Sequence, residues 1–170
     1  MPVKKLIEFL DQKSVRYITI RHSSAYTTQE VAAKAHISGN EVAKTVMIKI
    51  EGKMAMAVLP ASTDIDFDRL KEIFKTNNVL LATEFEFKNR FPDCELGAMP
   101  PFGNLYNMEV YADETLTREQ EIAFNAGSHI EMIRLKYDDF QRLVNPQIFN
   151  FSWKPVSFPG DPGERWNDDL

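Results

Sequence analysis

Residues 43–60 read AKTVMIKIEGKMAMAVLP, and this stretch decides the fold. Two apolar runs, residues 45–50 and 54–59, stand on either side of the short polar segment Glu51-Gly52-Lys53. Apolar runs at this separation are typical of antiparallel strands joined by a tight turn. The sequence therefore predicts a β-hairpin at the centre of the fold.

Helices and strands alternate around this hairpin. We predict helices where apolar residues recur at helical spacing, and strands where short apolar or alternating runs lie between turn residues. The predicted helices cover residues 3–13, 28–35, 66–74, 83–91 and 137–144, and the further strands cover residues 17–21, 79–82, 108–111, 121–124 and 130–135. Because several strands are joined by hairpin-length links, we expect an α+β fold in which helices flank a mixed, curved β-sheet.

The composition fits one domain. The chain has 170 residues, 44% of them hydrophobic, so it can bury a core of ordinary size. We expect this domain to cover residues 1–150 and the proline-containing residues 151–170 to form an irregular extension. The sequence lacks an apolar run long enough to span a bilayer, and its N-terminal residues lack the apolar core of a signal peptide. We therefore expect a cytoplasmic protein with no membrane partner.

The net charge of −5 is unevenly distributed. Residues 1–60 carry nine Lys and Arg against five Asp and Glu, and residues 61–170 carry eleven against twenty, which gives +4 and −9. A protein that contacts just the end of a nucleic acid would show this asymmetry, and an ordinary solvated surface explains it equally well. The single cysteine, Cys94, excludes an intramolecular disulfide, and its acidic neighbours disfavour a thiolate nucleophile.

Lys44 is the first candidate site residue. Side chains alternate between the faces of a strand, so Lys44 lies in phase with Val46 and Ile48 and heads the more apolar face. A partly desolvated ammonium at this position would hold a phosphate or a carboxylate more firmly than an exposed one. The alternative is that Lys44 precedes the strand proper and extends its side chain into water.

The second candidate is the loop Gly97-Ala98-Met99-Pro100-Pro101-Phe102-Gly103. Glycines let a backbone approach a ligand closely, and prolines fix the backbone, so its amides would need no reorganisation as charge develops on a carbonyl oxygen. Met99 and Phe102 would then form walls of a small apolar pocket. A plain structural turn is the alternative.

The third candidate is His129, which follows a short loop between two predicted strands. It lies in phase with the apolar residues of the second strand, so its imidazole would face a site; a structural histidine is the alternative, as for His22 and His36. Ser128 and His129 point to opposite faces, which disfavours a nucleophile pair. The histidines lack zinc-ligand spacing with a cysteine or carboxylate partner, so we predict no metal and no cofactor.

In these motifs the sequence resembles the YbaK/EbsC family, the aminoacyl-tRNA deacylases that include the editing insertion domain of bacterial prolyl-tRNA synthetases. The resemblance covers roughly residues 1–150. Four motifs carry it in this order: His22-Ser23 with Tyr26 and Glu30, Ala43-Lys44-Thr45, the Gly-x-x-x-Pro loop at residues 97–101, and Gly127-Ser128-His129.

The resemblance implies a role for each motif. It makes Lys44 the functional lysine, residues 97–101 the cradle of the aminoacyl ester, and His129 a residue that sets activity or specificity. Ser128 stands where the synthetase insertion domain has threonine. The loop also differs from the Gly-Gly-rich loop of the cysteine-selective members, so the resemblance favours alanine on a proline tRNA as the substrate.

The implied reaction is hydrolysis of an amino acid ester on tRNA. The ribose carries a vicinal hydroxyl that can activate the attacking water, so the protein need not supply a strong base. We expect amides around Gly97 to polarise the carbonyl, Lys44 to hold the terminal phosphate, and Tyr26, Met99 and Phe102 to exclude larger amino acids. The expected partners are the aminoacylated tRNA acceptor end and prolyl-tRNA synthetase, and not DNA.

Two other functions fit the same sequence. A non-catalytic module of the same fold would capture aminoacyl-tRNA ends or a synthetase without hydrolysing anything, and a deacylation assay separates it from the enzyme. An unrelated small hydrolase would act through Cys94 or Ser128, and thiol or serine reagents would inactivate it.

Overall fold

The computed structural model describes residues 2–22, 30 and 37–155. Within these ranges the helices are α1 (Lys4–Gln12), α2 (Phe67–Phe74), α3 (Glu84–Phe87) and α4 (Tyr137–Val144). The strands are β1 (Tyr17–Arg21), β2 (Ala43–Ile50), β3 (Lys53–Pro60), β4 (Asp64–Ile65), β5 (Val79–Leu81), β6 (Glu109–Asp113), β7 (Glu121–Ser128), β8 (Glu131–Lys136), β9 (Gln147–Phe149) and β10 (Ser152–Trp153). Of the helix predicted over residues 28–35, just Glu30 is described, and it is helical; Tyr26 and His36 lie outside the described residues.

The predicted hairpin is confirmed and forms the middle of a five-stranded sheet. Ile50 pairs with Lys53, so a two-residue turn joins β2 to β3, and the pairing continues to Ala43 opposite Pro60. The strand order is β5-β2-β3-β6-β9. The β3–β6 and β6–β9 pairs are parallel, whereas the pairs that involve β2 are antiparallel. The sheet is therefore mixed, as the sequence predicts for an α+β fold.

A second, antiparallel sheet has the order β1-β8-β7 and meets the first sheet at the start of β2. A single parallel bridge joins Val42 to Ala123 in the middle of β7. The Ala123 amide also donates to the carbonyl oxygen of Glu41 at 2.9 Å. The residues that follow Val42 on β2 therefore start alongside β7.

The five-stranded sheet separates two apolar cores. The main core contains Ala43 and Met47 of β2 together with residues of α1, α4 and the second sheet. The second core contains Ile48 of β2 and Leu70 of α2. Because side chains alternate along β2, Lys44 lies on the side of the second core, in phase with Ile48.

Helix α3 is shorter than the predicted helix over residues 83–91. It begins as expected, because the Thr83 hydroxyl accepts from the Glu86 amide at 3.3 Å and the Glu86 carboxylate accepts from the Thr83 amide at 2.9 Å. It ends at Phe87, since the chain turns ahead of Pro92, which disfavours helical geometry at the residue before it. The turn lets both Phe87 and Phe91 pack into the main core.

The body of the fold extends past residue 150, where the sequence analysis placed its end. Phe151 is fully buried in the second core, and Ser152 and Trp153 form β10, which pairs with β4. The strands β4, β9 and β10 have two or three residues each and pair with segments distant in sequence. For this reason sequence patterns missed them. None of the helices in the described ranges has the length and apolarity needed to cross a bilayer.

Candidate active site

Lys44 stands on a rigid strand with its ammonium at the rim of the fold. Its cross-strand neighbour Leu59 is fully buried. The Lys44 Nζ atom lies 3.4 Å from Asp64 Oδ1, and the side chain is 33% exposed. An ion pair of this length with an exposed carboxylate contributes little stability, so the ammonium can exchange Asp64 for a phosphate. The side chain is thus held beside the apolar sheet and does not simply extend into water.

The glycine-proline loop reaches the surface at its first residue. Gly97 is exposed, whereas residues 98–103 are buried. The Gly97 amide donates to Met99 Sδ at 3.3 Å, and a thioether is a weak acceptor. A carbonyl oxygen that approached Gly97 would therefore offer this amide a better partner than the one it has.

His129 is bonded to the residue that precedes Gly97. Its Nε2 lies 2.7 Å from the Leu96 carbonyl oxygen, and its backbone amide donates to Glu95 Oε2 at 3.1 Å. Because a carbonyl oxygen can only accept, the proton of the neutral ring lies on Nε2. Nδ1 is then an acceptor.

The bond from His129 also orients the Gly97 amide. The Leu96 carbonyl and the Gly97 N–H belong to one planar trans peptide group, so they point in opposite directions. Fixing the carbonyl toward His129 fixes the direction of the N–H. His129 is therefore a positioning residue for the amide that the sequence analysis expected to polarise a carbonyl.

The end of β7 ties this loop to the second sheet. The Gly127 amide donates to the Ala98 carbonyl at 2.9 Å, and the Glu95 amide donates to the Gly127 carbonyl at 2.8 Å. Gly127 has a φ of +102°, and a Cβ atom there would lie 3.0 Å from Val3 Cβ. Glycine thus lets the N-terminal segment approach. The Ser128 hydroxyl accepts from the Ile130 amide at 3.4 Å, which is a turn contact.

The candidate residues form two groups at successive positions along β7. Within the described part of the chain, no hydrogen bond or ion pair joins Lys44 to the loop that begins at Gly97. Lys44 and Asn125 each lie two residues beyond the Val42–Ala123 bridge on their strands. Two further residues along β7, about 7 Å at the usual rise, lead from Asn125 to Gly127 and the loop.

Met99 and Phe102, which the sequence analysis expected to form walls of a small apolar pocket, are both buried in the main core. Phe102 is 0% exposed and packs against the rings of Phe9, Phe124 and Phe140. Ala98, Pro100 and Pro101 are buried as well. The loop is apolar because it completes the main core. In a sequence, apolar core residues look the same as apolar residues that line a pocket. The third expected wall residue, Tyr26, lies outside the described residues.

The sequence analysis missed Asp64 and the Leu96 carbonyl as partners of the candidate residues, and it missed that β7 continues through Asn125. Asp64 is twenty residues from Lys44, and a backbone carbonyl carries no sequence signal. Asn125 is half-buried on the same face of β7 as Ala123. The strand pattern held one sign of this position, namely that the polar Asn125 lies in phase with Ala123.

The thiol of Cys94 is unsuited to act as a nucleophile. Burial raises the pKa of the Cys94 thiol, and Asp93 adds to the effect, so the thiolate is disfavoured as the sequence predicts. The Cys94 sulfur lies 3.5 Å from the Tyr106 hydroxyl. Among the residues that the structure describes, no group of three or more His, Cys, Asp and Glu side chains is placed to hold a metal ion.

Fold and site together define a small α+β domain with a partly exposed lysine and a backbone amide whose direction is fixed by His129. The family model of the aminoacyl-tRNA editing domain matches residues 22–143. The Multifunctional Ser/Thr-tRNA deacylase ProXp-y of Escherichia coli strain K12 is 28% identical over 153 residues, which cover 87% of this chain and 91% of that protein.

Two further comparisons, one of sequence and one of structure, find proteins connected with prolyl-tRNA synthetase. A proline--tRNA ligase of Dehalococcoides mccartyi is 32% identical over 116 residues, 68% of this chain and 20% of the ligase. A crystal structure provisionally described as a trans-editing enzyme for prolyl tRNA synthetase has a TM-score of 0.77 at 16% identity and covers 89% of this chain and 96% of that one. The chain belongs to the aminoacyl-tRNA editing domain family, and it is a hydrolase that acts on the aminoacyl-tRNA ester bond.

Proposed function

We propose that this deacylase removes a small amino acid from a mischarged tRNA, with the nucleotide end held at Lys44 and the ester at Gly97. The observation that carries the proposal is the bond from His129 Nε2 to the Leu96 carbonyl at 2.7 Å, which leaves the Gly97 amide fixed and weakly engaged. An amide oriented in advance stabilises negative charge without reorganising during the reaction.

Lys44 serves as the anchor for the terminal phosphate. The ammonium lies on the rigid strand β2, and Asp64 holds it at 3.4 Å in a partly exposed pair that a phosphate can displace. Holding the phosphate fixes the ribose, and with it the reacting bond, relative to β7. This division of labour explains why the two groups of site residues lie apart.

The reaction then needs no nucleophilic side chain. Water adds to the ester carbonyl carbon as the Gly97 amide polarises the carbonyl oxygen. A vicinal ribose hydroxyl of the substrate orients the water, the bond to the ribose oxygen breaks, and that oxygen takes up a proton. The products are a free amino acid and an uncharged tRNA. His129 acts on this step through the Leu96–Gly97 peptide.

For the substrate we propose alanine on a proline tRNA, on the basis of the resemblance to the synthetase insertion domain. Serine and threonine are the second choice, because the E. coli relative is named as a Ser/Thr-tRNA deacylase. Prolyl-tRNA synthetase is the proposed partner, and the cytoplasm, where tRNA is charged, is the proposed location.

A panel of mischarged tRNAs tests this function. Purified protein should release alanine, serine or threonine from at least one tRNA and leave the correctly charged tRNA intact. The matched variants are Lys44→Ala and Lys53→Ala, which remove lysines from the two ends of the same hairpin. Failure of the wild-type protein to hydrolyse any ester in the panel would refute the proposed function.

A further inference from the structure

A groove of about 370 Å³ is lined in part by β10, and the mechanism above does not use it. Its lining includes Asn40, Thr115, Arg118, Ser152, Trp153 and Lys154. We propose that this groove binds the unpaired 3′-terminal nucleotides of the tRNA, with a base stacked on Trp153 and phosphates near Arg118 and Lys154. The proposal rests on the proposed function. The lining residues Ser152, Trp153 and Lys154 lie beyond residues 22–143, the part of the chain that matches the family model.

Asp64 links the groove to the candidate active site. Its carboxylate is the partner of Lys44 at 3.4 Å, and its backbone pairs with Trp153 in the β4–β10 ladder. Adjacent strands lie about 4.8 Å apart, so Trp153 stands one strand away from the residue that holds the ammonium. A nucleotide chain whose last phosphate sits at Lys44 therefore has the groove as its neighbour.

The fold holds Trp153 at the surface by a buried carboxylate. Asp113 is 0% exposed, and its Oδ1 accepts from the amides of Phe151 and Ser152, each at 2.9 Å. Its Oδ2 accepts from the Ser152 hydroxyl at 2.8 Å. The backbone is thus fixed up to Ser152, yet the Trp153 side chain is 47% exposed. A large apolar ring kept accessible on a fixed backbone is suited to stacking on a base.

The charges of the groove suit a nucleic acid backbone. Arg118 and Lys154 are cationic, and Glu119 is the one acidic residue of the lining, so the groove is net positive. The 110 residues from 61 to 170 carry a net charge of −9, so this local excess runs against its surroundings. Arg118 is paired with Glu114 at 3.7 Å in an exposed contact, which a phosphate can replace.

Deacylation kinetics with two substrates test the groove. One is a full aminoacyl-tRNA. The other, called the adenosine ester below, is the same amino acid esterified to the 3′ position of adenosine 5′-monophosphate, which keeps a phosphate for Lys44 but has no further nucleotide to place in the groove. Trp153→Ala should raise KM for the tRNA about 10-fold with kcat unchanged, since base stacking on an aromatic ring has this magnitude. Trp153→Phe should keep most of the affinity. Neither variant should change kcat/KM for the adenosine ester.

Two results of these kinetics would overturn the proposal. One is an unchanged KM for the tRNA in Trp153→Ala, and the other is an equal loss on both substrates, which would indicate damage to the fold or to the site. If the first occurred while the wild-type protein deacylated tRNA, the groove would be refuted and the proposed function would stand.

A direct binding measurement separates the groove from catalysis. In a Trp166→Phe background Trp153 is the single tryptophan of the chain. A short single-stranded RNA that ends in CCA should quench the fluorescence of Trp153. The RNA concentration at half-maximal quenching should rise with added salt and in an Arg118→Ala variant. Absence of quenching would refute the groove. Quenching by a protein that hydrolyses no mischarged tRNA would refute the proposed function and leave the groove standing.

Discussion

The imidazole of His129 lies 2.7 Å from the carbonyl oxygen of Leu96, and this contact joins two loops that are 33 residues apart in sequence. It is the point at which the motif Gly127-Ser128-His129 and the glycine-proline loop act on each other. Because the Leu96 carbonyl shares a peptide group with the Gly97 amide, the bond from His129 fixes the direction of the amide that we propose stabilises the transition state.

His129→Ala should lower kcat about 10-fold and leave KM and the melting temperature nearly unchanged, because one orienting hydrogen bond is lost at an exposed position. His129→Gln should recover most of the rate, since a glutamine amide can donate to the same carbonyl oxygen. Single-turnover deacylation measures both variants. An Ala variant with wild-type kcat would show that the contact has no positioning role.

Gly97→Ala should reduce both stability and kcat. Gly97 has a φ of +84°, where an L-residue with a Cβ costs about 1 kcal/mol or more, although the nearest atom of His129 would be at an ordinary 3.5 Å. Relief of that strain would turn the peptide and misdirect its amide. The control is Gly39→Ala, because a Cβ there meets nothing within 4 Å. Equal melting temperatures and rates for the two variants would contradict the assignment.

Glu86 should make stability depend on acid pH. Its carboxylate accepts from Lys49 and from the Thr83 amide and hydroxyl, and these contacts lower its pKa from 4.5 to about 2. A carboxyl with a depressed folded pKa stabilises the fold above its unfolded pKa of 4.5, and the effect is lost as the pH falls through about 2. Glu86→Gln should therefore lower the melting temperature at pH 7, and the difference should vanish below pH 2.

Thermal melts of wild type and Glu86→Gln from pH 7 to below pH 2 check this expectation. Glu84→Gln is the matched control, since it removes a charge from the same turn of α3 without removing the contact with Lys49. A melting-temperature difference for Glu86→Gln that stays constant over the whole pH range would contradict the role of the charge.

Local patterns predicted the parts of the fold that depend on local chemistry. The hairpin from Ala43 to Pro60 followed from two apolar runs and a turn, and α4 begins and ends at the residues predicted for it, Tyr137 and Val144. The short strands β4 and β10 exist because a buried carboxylate, Asp113, fixes the segment that follows β9. That contact spans 38 residues, so the sequence around either partner gives no sign of it.

The candidate site also contains residues that local sequence patterns predicted and residues that they did not. Lys44 was predicted from strand alternation and His129 from its place between two strands. His129 contacts Leu96 beside the predicted loop, whereas Lys44 contacts Asp64, which the sequence did not predict. The loop at residues 97–103 was harder, because burial in a core and lining of a pocket both demand apolar residues. The aromatic packing of Phe102 decides between them, and it depends on the tertiary arrangement of α1, β7 and α4.

Release of the amino acid from mischarged tRNA by wild-type and Lys44→Ala protein tests the central claim most directly. The wild-type protein should deacylate at least one tRNA that carries alanine, serine or threonine. Lys44→Ala should lose about 100-fold in rate, because the ester is no longer held in place, while its melting temperature and that of Lys53→Ala remain those of the wild type. A Lys44→Ala protein that deacylates at the wild-type rate would contradict the account.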